Sequence, residues 1–317
     1  MAVKQVRRVL VVGAGTMGHS IAMVFATRNY QVDLVDLSEE ILGRALHLIK
    51  SNLQTLRKAR FIEAKPVSRV LRNISTSTSL EAAKGADLVI EAISEDSKAK
   101  RRIFRSLDQI CPPGTIFASN TSYLNIFRTV TVTHPERLLI THWWAPPHLI
   151  PLVDVVKGPK TSEETVASVK EILTKLGKKP VVMKKFISGY IVNRLQRAMA
   201  REIFNLLDKG YASPEDIDTA VKSSLGIRIP VVGVVQRYDF TGLDLALSFE
   251  KNPSIHLVSR DVTPRTLSRL VRQGHLGVKT GKGFYDYSSR PIAKVLGERD
   301  VKLIQMLKLL KSWNKKV

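Results

Sequence analysis

Val9-Leu10-Val11-Val12-Gly13-Ala14-Gly15-Thr16-Met17-Gly18 joins four consecutive apolar residues to a Gly-x-Gly-x-x-Gly turn. The apolar run reads as a central parallel strand, and the turn leads from it into a helix over about Thr16 to Arg28. Gly13 allows the sharp bend, Gly15 lets the backbone approach a pyrophosphate, and Gly18 lets the helix pack close on the sheet. That helix would aim its free N–H groups and positive dipole end at phosphates. A glycine triplet alone also occurs in ordinary loops, so its surroundings decide. Gln31-Val32-Asp33-Leu34-Val35-Asp36 follows as a second strand, ending in a carboxylate placed to accept hydrogen bonds from an adenosine ribose. Asp36 would repel a 2′-phosphate, and Leu37 and Ser38 offer no arginine to receive one, which favours NAD. The plainer use of the same acid is to cap a helix starting near Ser38-Glu39-Glu40.

The chain has 317 residues, 44% of them hydrophobic, which suits a globular protein of two domains. No apolar run approaches the ~20 residues that span a bilayer. Met1-Ala2-Val3-Lys4-Gln5 leads straight into the first strand without room for a signal peptide, so a cytoplasmic protein with no membrane partner is expected. The single cysteine, Cys111, excludes an internal disulfide and a thiolate metal cluster, and no metal is expected. Fifty Lys and Arg against 28 Asp and Glu leave a net charge of +22, which raises nucleic acid as a rival ligand. With aromatics at only 6%, basic stripes interleaved with stacking rings are missing, so no nucleic-acid partner is expected. The excess is spread over Arg57-Lys58-Ala59-Arg60, Arg101-Arg102, Lys178-Lys179, Lys184-Lys185 and the tail from Lys311 to Lys316. It suits attraction of a polyanionic small molecule, or simply a solvated basic face.

Strand-like pieces recur at Ile74-Ser75-Thr76, Leu88 to Ala92, Ile116 to Ser119 and Leu138 to Thr141, with helical patterns between most of them. Strands alternating with helices imply parallel pairing and a ligand at the strands' carboxyl ends. Pro151 to Val156 and Pro180 to Met183 add two late strands around a helix opened by the capping-box pattern Thr161-Ser162-Glu163-Glu164. From Phe186 onward strand signals vanish: Ile187, Ile191, Leu195, Met199, Ile203 and Leu206 mark one long amphipathic helix, and Ser213-Pro214-Glu215-Asp216 caps another. The expected fold is an α/β, Rossmann-type, doubly wound and mostly parallel sheet over residues 1–185, then an all-α domain over 186–317 ending in a helical tail from Arg290 to Val317.

His142 follows the strand Leu138 to Thr141, where side chains project into the cofactor crevice, and Asp154 lies in the next strand. A histidine takes a proton from a hydroxyl while a carboxylate on its far nitrogen fixes the tautomer, the arrangement that NAD-linked oxidation of an alcohol requires. A lone His and Asp are more often structural. Ser119-Asn120-Thr121-Ser122 ends the fifth strand, facing nicotinamide and substrate or merely capping the next helix. Asn193, an isolated amide on an otherwise apolar helix, wants a partner such as a substrate or His142. His148 lacks the spacing of a metal ligand, and His19 reads as a packing or solvent residue.

These motifs together resemble the L-3-hydroxyacyl-CoA dehydrogenase family through nearly the whole chain to about Tyr287. The likeness is carried in order by the glycine turn, by Asp87 to Ala92 with Glu95, Lys98 and Lys100, by Ser119 to Ser122, by His142 through Asp154, by Gly189 through Arg194, and by Lys279 to Asp286. The resemblance implies His142 as general base, Asp154 as its partner, and Ser122 and Asn193 as hydrogen-bonding groups at the reacting oxygen. It implies NAD contacts from Gly13, Gly15, Thr16, Met17, Gly18, Asp36, Glu95, Lys100, Asn120 and Ser122, with Lys279 reaching the cofactor from the second domain. It also implies a homodimer and a place in fatty acid metabolism. Two positions depart from the family pattern: Ala145 stands where an asparagine is usual, and Asp154 where a glutamate is usual. Pro146 to Val153 is also similar to the branch containing lambda-crystallin and L-gulonate 3-dehydrogenase. The alternatives are therefore a dehydrogenase of a free 3-hydroxy acid, such as a sugar acid, and a dinucleotide-binding protein without turnover.

Overall fold

The computed structural model describes residues 6–61, 66–255, 257 and 263–313. The first strand-forming segments are apolar and give β1 (Arg8–Val12), β2 (Gln31–Val35), β3 (Ile74–Ser77), β4 (Leu88–Glu91) and β5 (Ile116–Ser119). β6 (Leu138–Trp143), β7 (Leu152–Lys157) and β8 (Lys179–Met183) complete one eight-stranded sheet in the order β3-β2-β1-β4-β5-β6-β7-β8. Every pairing is parallel except β6 with β7. The connection from β6 to β7 holds no helix, and without a crossover two successive strands pair antiparallel.

Helices α1 (Gly18–Thr27), α2 (Glu39–Lys58), α3 (Val67–Leu71), α4 (Ser97–Ile110), α5 (Ile126–Thr129) and α6 (Glu163–Lys175) accompany the sheet. Ser38 caps α2 through the Glu40 amide, with Glu39 and Glu40 in the first turn and Arg57 and Lys58 in the last, both signs matching the helix dipole. Ser162 caps α6 through the Thr165 amide, so the expected capping box does not form there: Thr161 Oγ1 instead bonds the Leu138 carbonyl and the Gly158 amide. Val9, Leu10, Val11, Phe104, Leu139 and Ile140 are fully buried, each contributing about 1.5–3 kcal/mol relative to an exposed side chain.

Chain packing divides the molecule into Met1–Tyr190 and Ile191–Val317. The division falls beyond Lys185 because Phe186 and Tyr190 pack on the core of the sheet. The second unit is helical: α7 (Val192–Asp208), α8 (Pro214–Lys222), α9 (Leu225–Val232), α10 (Gln236–Thr241), α11 (Leu243–Glu250), α12 (Arg265–Arg272) and α13 (Ile292–Trp313). The long helix begins at Val192 rather than Ile187, after a turn holding Gly189 and Tyr190 at positive φ. Ser213 caps α8 as expected, with Pro214 in the first turn, and the structure adds a full capping box with Asp216. The tail helix runs to Trp313, and its end at Val317 lies outside the described residues. Among the described residues no helix is long and apolar enough to cross a membrane, and no group of three or more His, Cys, Asp or Glu could hold a metal ion.

Candidate active site

The three glycines of the turn meet three different constraints. Gly13 has φ +100°, and a Cβ there would lie 2.6 Å from the Ala92 carbonyl oxygen. A Cβ on Gly18 would lie 1.6 Å from the Gly13 oxygen, so α1 can start here only with glycine. A Cβ on Gly15 would meet no protein atom within 4 Å, so packing does not demand a glycine at that position. Close approach by a phosphate would. No side chain caps the N-terminus of α1, which leaves its first N–H groups for an anion alongside Thr16 and Met17. Asp36 Oδ2 accepts from the Ala14 amide at 2.6 Å and Oδ1 from the Leu37 amide at 2.7 Å, tying the end of β2 to the turn. From there a cleft of about 450 Å³ runs between Asp36, Leu37, Thr78 and Arg102, of a size and polarity that fit the adenosine half of NAD.

At the neighbouring strand ends, Lys100 is 1% exposed and its ammonium lies 2.6 Å from Glu91 Oε1 and 3.4 Å from Glu95 Oε2. Glu91 is fully buried and also accepts from Ser119 Oγ and the Ile93 amide, so this ion pair is closed by hydrogen bonds. Glu95 Oε1 accepts from Thr121 Oγ1 at 2.6 Å and from the Ser122 and Tyr123 amides at 2.8 and 3.0 Å. Half-burial raises its proton affinity, but those three donors and the Lys100 charge hold the carboxyl below the usual carboxylate range. Lys100 is thus placed to support Glu95 and the 119–122 loop from beneath. Asn120 Oδ1 accepts from the Trp143 amide at 2.8 Å, which fastens the same loop to β6 beside His142.

His142 and Asp154 are direct cross-strand partners in the antiparallel register, so their side chains share one face. His142 Nδ1 lies 3.0 Å from Asp154 Oδ2, and both side chains are buried. An ionised carboxylate only accepts, so Nδ1 carries the hydrogen, and in the neutral imidazole Nε2 has the lone pair. The one-methylene-shorter acid reaches its histidine. Two aromatic rings enclose the imidazole: Trp144 edge-on at 4.9 Å and Tyr190 at 5.0 Å. Tyr190 is fully buried, its hydroxyl donates to the Thr121 carbonyl at 2.7 Å, and burial with the charges of Glu95 and Asp154 pushes that hydroxyl's pKa upward.

Lys178, Tyr190, Glu91 and Trp144 escape a reading of the sequence. Lys178 looks like one of many surface cations, yet it is buried, donates to the Pro147 and Ile150 carbonyls and sits 5.5 Å over the Trp143 ring. The available signal is only its place just before a strand. His19 Nδ1 lies 2.7 Å from the Gly15 oxygen, and burial lowers its pKa against the pull of that carbonyl. His148 is held by Ser20 at 2.8 Å. Asn193 is half-buried near the start of α7, and Lys279 is exposed at the rim of an apolar cavity of about 690 Å³ with Phe204 and Phe284; both belong to the second unit.

Comparison with known proteins adds kinship to this geometry. Residues 8–186 match the 3-hydroxyacyl-CoA dehydrogenase NAD-binding domain, and residues 189–287 match the C-terminal domain of the same name. A 5-formyl-3-hydroxy-2-methylpyridine 4-carboxylate 5-dehydrogenase of Mesorhizobium japonicum is 33% identical over 307 residues, spanning 96% of this chain and 98% of its own. The mitochondrial hydroxyacyl-coenzyme A dehydrogenase of Rattus norvegicus is 37% identical over 294 residues, 89% of this chain and 91% of its own. The crystal structure of a 5-formyl-3-hydroxy-2-methylpyridine 4-carboxylic acid 5-dehydrogenase, described as an NAD+-dependent dismutase, superposes with a TM-score of 0.87 at 29% identity, covering 97% of this chain and 99% of that one.

Proposed function

The chain belongs to the 3-hydroxyacyl-CoA dehydrogenase family of NAD-dependent oxidoreductases, and from that premise we propose that it oxidises the 3-hydroxyl of an L-3-hydroxyacyl-CoA to the 3-oxo ester, reversibly, with His142 as general base. The observation that carries this reading is the buried His142–Asp154 pair beside the carboxyl ends of β4 and β5. NAD, when bound, supplies the hydride acceptor. Nε2 of His142 takes the hydroxyl proton, Asp154 stabilises the resulting imidazolium, and Ser122 and Asn193 hydrogen-bond the reacting oxygen. The glycine turn with Thr16, Met17 and Asp36 holds the dinucleotide, joined by Glu95, Asn120, Ser122 and Lys279, with Lys100 behind Glu95. The helical unit serves substrate and dimer contacts; Leu195, Met199, Val235, Phe240 and Leu243 are exposed apolar residues there, which suits a homodimer.

The second reading, a carboxylic acid without coenzyme A as substrate, such as a free 3-hydroxy acid, is supported by one specific observation: the relative named for a pyridine carboxylate matches 96% of this chain, against 89% for the mitochondrial acyl-CoA enzyme. Oxidation of NADH in the presence of acetoacetyl-CoA and of free 3-oxo acids separates the two. Turnover of the ester, lost in His142→Ala while NADH still binds, supports the first reading. Turnover of the free acids alone replaces it with the second. Persistent turnover in His142→Ala removes the histidine as base.

A further inference from the structure

We propose that Trp144 is a positioning residue for the His142–Asp154 pair, its indole N–H locking the Asp154 carboxylate in the orientation that the histidine requires. The inference rests on the reading of His142 as base. Trp144 Nε1 donates to Asp154 Oδ2 at 3.0 Å, the same oxygen that His142 Nδ1 approaches at 3.0 Å. The other carboxylate oxygen, Oδ1, is buried with no hydrogen-bond partner among the described residues. Without the indole, a fully buried carboxylate would therefore keep a single donor and be free to turn about its last bond, and buried charge is tolerated only when it is hydrogen-bonded.

Why the indole arrives there follows from strand geometry. His142 stands opposite Asp154 in the ladder, and Trp144, the first residue past the end of β6, turns its indole to that same carboxylate. Trp143 projects to the other face, where its ring packs 6.0 Å from Phe25, and its own Nε1 is buried without a partner. Of two adjacent indoles, one packs and the other bonds the acid. The titratable groups facing the pair are the Tyr190 hydroxyl, with Glu95 beyond it; Lys178 lies over Trp143, on the opposite face. A donor on Oδ2 also draws negative charge away from the imidazolium. Its removal lets Asp154 hold the proton on His142 to higher pH.

Trp144→Phe keeps a ring but has no N–H, and Trp144→Leu is a second N–H-free replacement. Trp144→Gln loses the ring but carries an N–H the same number of bonds from Cα. NADH binding, measured by fluorescence, reports that each variant is folded. For hydroxyl oxidation, the acid limb of the kcat/KM profile is expected to move up by roughly one pH unit in whichever N–H-free variant binds NADH, the shift that loss of one hydrogen bond to a charged group implies. Trp144→Gln is expected to keep the wild-type limb. An unmoved limb in the N–H-free variants, or an equal shift in Trp144→Gln, overturns the assignment. If His142→Ala loses turnover while those limbs stay put, only the role of Trp144 falls; if His142→Ala remains active, the base reading itself falls.

Discussion

Replacing Lys178 by methionine tests how a buried ammonium is held beside the site. Its Nζ donates to the Pro147 carbonyl and, at 2.9 Å, to the Ile150 carbonyl, and burial brings its pKa down to about 8 from 10.5. A lowered lysine pKa means that the folded chain gives up this proton before the unfolded chain does. The cost of burial is thus present in full below about pH 8, shrinks as pH rises toward 10.5, and is gone above it. Over that interval it amounts to about 3 kcal/mol, at ~1.4 kcal/mol per pH unit. Methionine has nearly the same length and no charge, so Lys178→Met carries no such pH dependence. Its unfilled Pro147 and Ile150 carbonyls add a constant offset. The wild type should gain on the variant by about 1.4 kcal/mol between about pH 6 and pH 9. Urea unfolding of both chains, followed by the fluorescence of Trp143 and Trp144, measures this difference. Taking the difference also cancels Cys111, which burial and then Asp108 push up to about 12, and Tyr190, both of which lose stability at alkaline pH. A stability difference that stays flat across this range refutes the reasoning.

Asp36→Ala removes the acceptor of the Ala14 and Leu37 amides as well as the proposed ribose contact, and is expected to weaken NADH binding by roughly tenfold or more, with a smaller loss for NADPH. Equal losses in a fluorescence titration contradict the ribose assignment. Two glycine replacements should behave oppositely: Gly18→Ala, with a Cβ 1.6 Å from the Gly13 oxygen, should lower the melting temperature sharply. Gly15→Ala, whose Cβ meets no protein atom within 4 Å, should leave the NAD-free chain within about 0.5 kcal/mol of wild type but impair NADH binding. Calorimetry and titration check both, and wild-type NADH affinity in Gly15→Ala would remove that backbone from the phosphate site.

The sheet was legible because its strands are short apolar runs set between turn and helix signals, from Val9–Val12 through Leu138–Thr141 to Pro180–Met183. The start of α7 was not: Ile187 and Ile191 keep the helical spacing, yet Gly189 and Tyr190 adopt positive φ and interrupt the chain, so helical periodicity alone placed the helix too early. The glycine turn, Asp36, and the placing of His142 and Asp154 on successive strands could be read from order and spacing. What carries the site from beneath could not. Lys100, which the family resemblance implies as a cofactor contact, is instead 1% exposed against Glu91; its burial, like that of Glu91 and Lys178, depends on which elements pack over it, and sequence ranks such residues as surface. The role of Trp144 required knowing that β6 and β7 run antiparallel with 142 opposite 154, a register no local pattern encodes.

The antiparallel union of β6 and β7 has one more consequence. Base and acid are held by rungs of the ladder on either side of them, and the residues between Ala145 and Ile150 bear no part of that alignment. This connection can therefore lengthen, shorten or change character without moving the proton-handling pair. A lineage built on such a hairpin can rewrite the connection while the chemistry it inherited stays in place.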